Sequence, residues 1–459
     1  MLTFCARRRL CFKKKLRGWS QTLHWRNWTD SVSASNNLDH ISALRKLFSH
    51  HYYIAEEHLN RDCFLHDSSC GYGPFGMELR KNILDQWWRS VVISRPQVFG
   101  ISTPHGDKSR AMEQERTLKL VDTEMFHHIL NQKELNRDQT KEALEKLLQN
   151  VLPMRTSLLQ GALKHYIHFM KFVNKKLPFG LAETGLCYQL PEGPPGEPGC
   201  PLEVMQVSLT WFCFPRTSSQ WLDYWARHRL QWWRKFALGP SNFSCSDIEV
   251  KQEGNKMARG IRLLYQFPWG AEPLETLWNL GDTELLQTHK GSQSRLQCRD
   301  GRKSVVPHVI SISGNIDHGV LAYLHNSMQE VKKVDSKKNQ PMRKVLKLHP
   351  SLTPVKVALD MGKGPVMELR QVCEGLLREL IEGSMSSWPG YLETTPTSME
   401  QLNTKYDEMG VLFTVVINDD TLESGLVQLR SRDTTIKETM HISEIKSFLT
   451  KYIAAAENN

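Results

Sequence analysis

Apolar residues recur along this chain at two different spacings, and the spacing changes with position. In CGYGPFGMELRKNILDQWWRSVV, residues 70–92, Leu79, Ile83, Leu84, Trp87, Trp88 and Val91 fall on one helical face, which predicts an amphipathic helix with a buried side. The segment from Ile41 to Asn60 also reads as a helix. Two more stripes follow: Leu135, Ala143, Leu144, Leu147 and Leu148, then, beyond Pro153, Leu158, Ala162, Tyr166, Phe169, Met170 and Val173. Proline lacks the donor that would continue a helix, so residues 122–176 are expected to form a hairpin of two helices. Its apolar side must be covered by its own domain or by a second copy in a four-helix bundle. From Val345 the pattern alternates. VKVALDM, GVLFTVVIND and GLVQLRSRDT read as strands, and ELRQVCEGLLRELIEG and SEIKSFLTKYIAAA as helices, giving an α/β domain over 345–459.

Composition narrows the class. A chain of 459 residues with 40% hydrophobic content can fill the cores of two or three domains. No run reaches the roughly eighteen apolar residues of a membrane-spanning helix, so no membrane partner is expected. The net charge of +10 favours a polyanionic partner. The 10 cysteines include no CxxC pair and no companion His at zinc-finger spacing, which predicts buried free thiols and no metal site. His165 and His168 lie one helical turn apart, and nothing nearby completes a metal shell. The first 29 residues contain eight Lys or Arg and no acid, interleaved with Leu, Phe and Trp. That is the chemistry of a mitochondrial transit peptide, and residues 1–40 are assigned to it and a flexible leader.

Candidate catalytic chemistry is sparse. Gly71, Gly73 and Gly76 satisfy GxGxxG, but no apolar strand precedes them and Pro74 removes a backbone donor that a pyrophosphate would use. There is no GxxxxGK[ST] loop, no GxSxG elbow and no Asp pair of the two-metal type. The stretch from 330 to 350 holds seven Lys or Arg against two acids. Within it Lys332, Lys333, Lys337, Lys338, Arg343 and Lys344 are candidate phosphate contacts, with a solvated linker over 331–344 as the alternative. The tryptophans of WLDYWARHRLQWWRKF, at helical spacing, read as core rather than as a base-stacking platform.

Several segments carry a family resemblance. CGYGPFGMELRKN resembles the YGPxGxELKxN segment of glycyl-tRNA synthetases, and LPFGLAETGLCYQLPEG (177–193) their LPFxxAQIGKAFRNE motif. The stretches 208–238, 262–289 and 307–324 are similar to later blocks of that family in the same order. KYDEMGVLFTVVINDDTLESGLVQLRSRDTT (405–435) resembles the anticodon-binding domain of class II synthetases. The resemblance implies an α+β and α/β chain. Its parts are an antiparallel class II synthetase-like core over 41–121 and 177–330, a helical hairpin insertion over 122–176, and a mixed α/β anticodon-binding-like domain over 345–459. It also implies a dimer, with Leu144, Leu147, Leu158 and Tyr166 as interface candidates.

Residue by residue, the synthetase chemistry is missing. The motif-two Arg and Glu fall on Gln189 and Pro191, the amino-acid pocket glutamates on Ser208 and Thr210, and the motif-three Glu and Arg on Ser311 and His318. Adenylate formation needs fixed cations on the triphosphate, and losing one such donor costs on the order of 10²–10³ in rate. No catalysis and no cofactor are therefore expected. Glu275 and Asp282 stay in register, which leaves room for a relic pocket. A mitochondrial leader, a disarmed synthetase body and a retained anticodon-type domain together resemble the family of accessory subunits of mitochondrial DNA polymerase gamma. That resemblance implies a noncatalytic processivity factor of mitochondrial DNA replication in the nucleoid, a homodimer that binds the polymerase's catalytic subunit and duplex or primer-template DNA. Leu422, Gly425, Gln428, Arg430 and Arg432 are its polymerase-contact candidates. A synthetase-derived RNA-binding protein and an active glycyl-tRNA synthetase are the alternatives.

Overall fold

The computed structural model describes residues 44, 46–55, 71–106, 118–132, 136–189, 202–251, 257–331, 343–393 and 398–458; the leader lies outside them. These residues fall into two units, one containing 106–154 and the other 32–105, 155–189 and 202–459. Residues 46–50 are helical, and the helix closes at Tyr52, which adopts φ 58°. Helix α1, Pro74–Trp88, starts with proline in its first turn, where a missing donor costs nothing. It buries Leu79, Ile83 and Trp87 and runs into a π-helical turn, Arg89–Ile93, that buries Val91. Strand β1 is Val98–Gly100.

The unit containing 106–154 holds α2, Thr123–Asn131, and α3, Arg137–Asn150. Asp122 caps α2 by accepting from the amides of Glu124 and Met125, and Asn136 and Gln139 form a capping box on α3. These caps fix where each helix begins. The expected hairpin is corrected here. The pattern has it span Pro153, but the two helices of this unit both precede that proline, and the stripe beyond it, on α4 (Leu159–Phe172), belongs to the other unit. There Leu163, Tyr166 and Met170 pack with Phe179, Phe212 and Trp278.

Long strands build the centre of the larger unit: β2 Phe179–Gln189, β3 Leu202–Cys213, β4 Phe243–Lys251, β5 Met257–Phe267, β6 Gly270–Gly281 and β9 His308–Asn315. The sheet order is β1-β2-β3-β9-β6-β5-β4, antiparallel except for β1 on β2. One face packs on α5, Ser218–Lys235, and α8, Ile316–Ser327. Trp225, Trp232 and Trp233 of α5 are buried, as their spacing predicts. The other face packs on α4. Between β6 and β9 lie the short helices α6, Thr283–Thr288, and α7, Gln293–Leu296, and a hairpin of β7, Cys298–Asp300, with β8, Lys303–Val305.

The expected linker over 331–344 is partly structured: β10, Met328–Val331, pairs with β11, Arg343–Leu346. The C-terminal sheet has the order β13-β12-β14-β15-β16. Its strands are β12 Val357–Met361, β13 Ser387–Trp388, β14 Phe413–Ile417, β15 Leu426–Ser431 and β16 Lys437–His441. Helices α9 Val366–Glu382, α10 Met399–Glu408, α11 Asp419–Ser424 and α12 Ile445–Asn458 complete it. Packing joins this domain to the synthetase-like body. Asn82 of α1 donates to Leu352 O at 3.0 Å, and the Tyr53 hydroxyl donates to Met409 O at 3.0 Å. Arg89 pairs with Glu457 of α12.

Candidate functional site

Side chains alternate across a strand, so Ser208, Thr210 and Phe212 of β3 face α4, while Val207, Leu209 and Trp211 face α5 and α8. The antiparallel register aligns Leu181, Thr210, Ser311, Trp278 and Gly260 in one row across five strands. Three positions expected to carry carboxylates, Ser208, Thr210 and Ser311, thus lie on one buried face as hydroxyls. The Trp278 indole occupies the same row and lies on Gly260, where a Cβ would come within 2.5 Å of its ring. Only glycine leaves room for that ring.

The next row pairs Glu183, Ser208, Ser313, Thr276 and Arg262. Glu183 is buried and its carboxylate is fully engaged. It accepts from Arg155 Nη1 at 2.9 Å, from the Thr103 amide at 2.8 Å and from Thr103 Oγ1 at 2.9 Å. Arg155 also donates to Leu186 O and Thr103 O, each at 2.8 Å, and its guanidinium lies over Gly185, where a Cβ would meet Nη2. Three residues on, the Leu158 amide donates to Gln206 Oε1 at 3.0 Å, and Gln206 Nε2 donates to Ser313 Oγ at 2.8 Å. The segment 155–158 therefore seals this end of the sheet with the protein's own cation. Sequence reasoning missed the pair. Its one local signal is Glu183 itself, standing where the synthetase pattern has Gln.

The remaining lost positions are dispersed. Gln189 is exposed at the end of β2 and Pro191 lies outside the described residues. His318 is half-buried on the first turn of α8, its Nδ1 3.1 Å from Pro273 O. Its neighbour Asp317 accepts from the Tyr72 hydroxyl and the Met205 amide, each at 2.8 Å, which ties the GYGPFG segment to the sheet. Burial pushes the Asp317 carboxyl up, opposed by the nearby Arg80 charge. Glu275 does not line this face. It points into the α5 layer and accepts from Arg229 Nη2 at 2.7 Å, both side chains being buried. The expectation that Glu275 marks a relic pocket is corrected: it is half of a structural ion pair. Among the described residues no group of three or more His, Cys, Asp or Glu could hold a metal, and no helix is long and apolar enough to cross a membrane.

The expected contact residues separate into surface and core. Lys332, Lys333, Lys337 and Lys338 lie outside the described residues. Arg343 and Lys344 sit half-buried on β11, Lys344 opposite Glu330. Arg343 contacts Asp407, and burial together with the neighbouring Arg430 charge pulls its guanidinium below the usual arginine range. Arg430 binds the same carboxylate through two nitrogens, at 2.9 and 2.8 Å. Arg432 donates to Gly410 O at 3.0 Å and Leu348 O at 2.8 Å, linking β15 to the segment before β12. Both arginines are buried, so the expectation that they touch a partner is corrected: Arg430 holds the Asp407 carboxylate of α10, and Arg432 two backbone carbonyls. The other contact candidates lie on different elements. Leu422 is on α11, which ends at Gly425 in the left-handed region, φ 70°. Leu422 and Leu426 are exposed, as are Val366 and Met367 at the start of α9, and Gln428 is half-buried.

Among the dimer candidates, Leu158 and Tyr166 are withdrawn. Both are buried in their own unit, and the Tyr166 hydroxyl donates to Leu296 O at 3.0 Å. Leu144 and Leu147 on α3 are half-buried, with Leu148, Met125 and Leu130 of the same unit exposed.

Comparison with known proteins agrees with this layout. The anticodon binding domain family matches residues 361–452. DNA polymerase subunit gamma-2 of Bos taurus is 52% identical over 410 residues, covering 88% of this chain and 83% of that one. The Xenopus laevis protein, named DNA polymerase subunit gamma-2, mitochondrial, is 50% identical over 389 residues, covering 84% and 82%. A glycine–tRNA ligase of Corynebacterium efficiens is 25% identical over 436 residues, covering 84% and 93%. Among solved structures, Giardia lamblia prolyl-tRNA synthetase in complex with prolyl-adenylate aligns with a TM-score of 0.58 at 13% identity, covering 92% of this chain and 81% of that one, a likeness of fold.

Proposed function

The chain belongs to the DNA polymerase subunit gamma-2 family, and from that premise we propose that it is the noncatalytic accessory subunit of a mitochondrial DNA polymerase gamma, raising processivity in mitochondrial DNA replication. One observation carries the proposal: the synthetase sheet survives while its catalytic face is hydroxyls, an indole and the neutralised Arg155–Glu183 pair. Such a face supplies neither the cations that bend a triphosphate nor a carboxylate for an amino group. What remains for the chain to do is bind.

An accessory subunit lengthens synthesis by adding contacts that slow dissociation, and tethering a second DNA-binding surface raises the local concentration of duplex. The exposed apolar side chains of α2 and α3, with Leu144 and Leu147, suit pairing with a second copy. The catalytic subunit docks on Val366, Met367, Leu422 and Leu426, which are exposed around the loops that follow β12 and β14. DNA is held through duplex phosphates, without sequence preference. The test is the affinity of the catalytic subunit for a fluorescent primer-template across a potassium chloride series, with and without this protein. Tighter binding that fades as salt rises is expected; equal affinity at every salt concentration overturns the proposal.

A further inference from the structure

The segment 290–303 concentrates positive charge at the surface. It holds Lys290, Arg295, Arg299, Arg302 and Lys303 against a single acid, Asp300, and all five cations are exposed. That one carboxylate is occupied by Arg216, whose Nη2 lies 2.8 Å from Asp300 Oδ1 and whose side chain is 72% exposed. Six cations therefore share one surface region with one acid.

The region is held rigidly. Strands β7 and β8 pair Cys298 with Val305, Arg299 with Ser304 and Asp300 with Lys303, around a two-residue turn at Gly301 and Arg302. Gly301 adopts φ 64°, a conformation glycine takes without strain. A hairpin this short has little stability of its own. Its inner side supplies it: Leu296 and Cys298 are buried with Tyr166 and Val309, the Tyr166 hydroxyl binds Leu296 O, and Ser304 Oγ donates to Gln297 Oε1 at 2.8 Å. The opposite side, Gln297, Arg299 and Ser304, and the tip residues Arg302 and Lys303 are all exposed and polar or charged. Clustered like charges cost stability, and Asp300 is the one acid within the segment.

We propose that the β7–β8 hairpin, with Arg216 and Arg295 beside it, grips the phosphate backbone of duplex DNA, and this rests on the DNA-binding function proposed above. Charge complementarity names the polyanion. The absence of an exposed apolar wedge among these residues argues against insertion into a lipid surface. The planar guanidinium fork suits bidentate phosphate contacts and loses less entropy per hydrogen bond than a lysine does. The Gln297 amide on this side is engaged by Ser304 Oγ, and phosphate contacts carry no sequence information, so a grip on the backbone is independent of sequence.

The experiment uses the full chain and a triple variant, Arg299→Gln, Arg302→Gln, Lys303→Gln, measured on a fluorescent duplex over a potassium chloride series. A matching Arg299→Lys, Arg302→Lys variant keeps the charge, and thermal melts check folding. Each phosphate contact contributes about 0.9 to the slope of log affinity against log salt. The triple variant is expected to lose about 2 to 3 in slope and at least tenfold in affinity near 0.1 M salt, with an unchanged melt and unchanged binding to the catalytic subunit. The lysine variant is expected to keep the wild-type slope. If the wild-type chain binds duplex and the triple variant matches it, the hairpin is not the contact, and the DNA-binding function stands without it. If the wild-type chain binds no duplex at low salt, both fall. Loss of affinity for structured RNA alone, with duplex DNA unaffected, also overturns the proposal.

Discussion

Replacing Arg229 by methionine isolates the cost of the buried charge that the fold hides behind its sheet. Arg229 Nε lies 3.1 and 3.0 Å from the two carboxylate oxygens of Glu275, Nη2 is 2.7 Å from one of them, and Nη1 donates to Ser90 Oγ at 3.1 Å. The guanidinium also sits 4.2 Å from the centre of the Trp232 ring. Glu275 has no route to water, since its side chain is 0% exposed. Methionine fills the volume but leaves the carboxylate without its cation, a change that costs about 3–5 kcal/mol. Adding Glu275→Leu removes the orphaned charge, so the double variant is expected to recover most of that loss, because apolar replacement of a whole buried pair is close to neutral or better. The assay is urea unfolding of the full chain followed by tryptophan fluorescence, with the single variants, the double variant and wild type forming one cycle. The reasoning is refuted if Arg229→Met costs under about 1 kcal/mol, or if the double variant is no more stable than the single. Glycine and ATP are expected to rescue neither, because Glu275 faces the helices and not the vacated site.

Other consequences follow from the same contacts. Leu144→Asp with Leu147→Asp on α3 is expected to convert a dimer to a monomer in sedimentation while leaving the melt of the larger unit in place; Tyr166→Phe, which removes one buried hydrogen bond, is expected to cost roughly 1 kcal/mol and leave the mass unchanged. Burial raises the Asp360 carboxyl to about 6, an effect opposed by the hydrogen bond from the Tyr406 hydroxyl at 3.1 Å. The folded state thus holds this proton more tightly than the unfolded chain, so the stabilisation is complete below about pH 4 and disappears as pH rises through 6. Asp360→Asn is expected to flatten that fall and to gain on wild type between pH 4 and 7; parallel stability profiles for the two proteins contradict the assignment. Glycine-dependent pyrophosphate exchange is expected to stay at background, and any rate above it that needs both glycine and ATP restores the synthetase reading.

The sequence made the architecture legible where neighbours in sequence are also neighbours in function. Helical spacing located α1 and placed Leu79, Ile83 and Trp87 inside, and strand alternation located β12, β14 and β15. Ordered blocks of the synthetase pattern marked β2, β3, β6 and β9, hence the face on which Ser208, Thr210 and Ser311 meet. Pairing between distant residues left no such trace. Arg155 with Glu183, Arg229 with Glu275 and Arg430 with Asp407 each join charges from different elements, and no periodicity distinguishes a buried arginine from an exposed one. Arg430 and Arg432 read as contacts for that reason. Amphipathicity likewise says that a face must be covered without saying by what. The stripe of α4 is covered by its own sheet, whereas the side chains of α2 and α3 remain in part exposed. The β7–β8 hairpin escaped notice because its cations are spread over fourteen residues and gather only when the chain turns at Gly301.

The central claim is that a disarmed synthetase scaffold acts by holding a polymerase on its template. The direct measurement is the length distribution of products from a single round of primer extension by the catalytic subunit of mitochondrial DNA polymerase gamma, with excess unlabelled trap DNA present and this protein added or omitted. Products several-fold longer in its presence, with the gain shrinking as Leu422→Asp and Leu426→Asp weaken docking, are the predicted result. A length distribution that does not change with the protein at low and moderate salt contradicts the account.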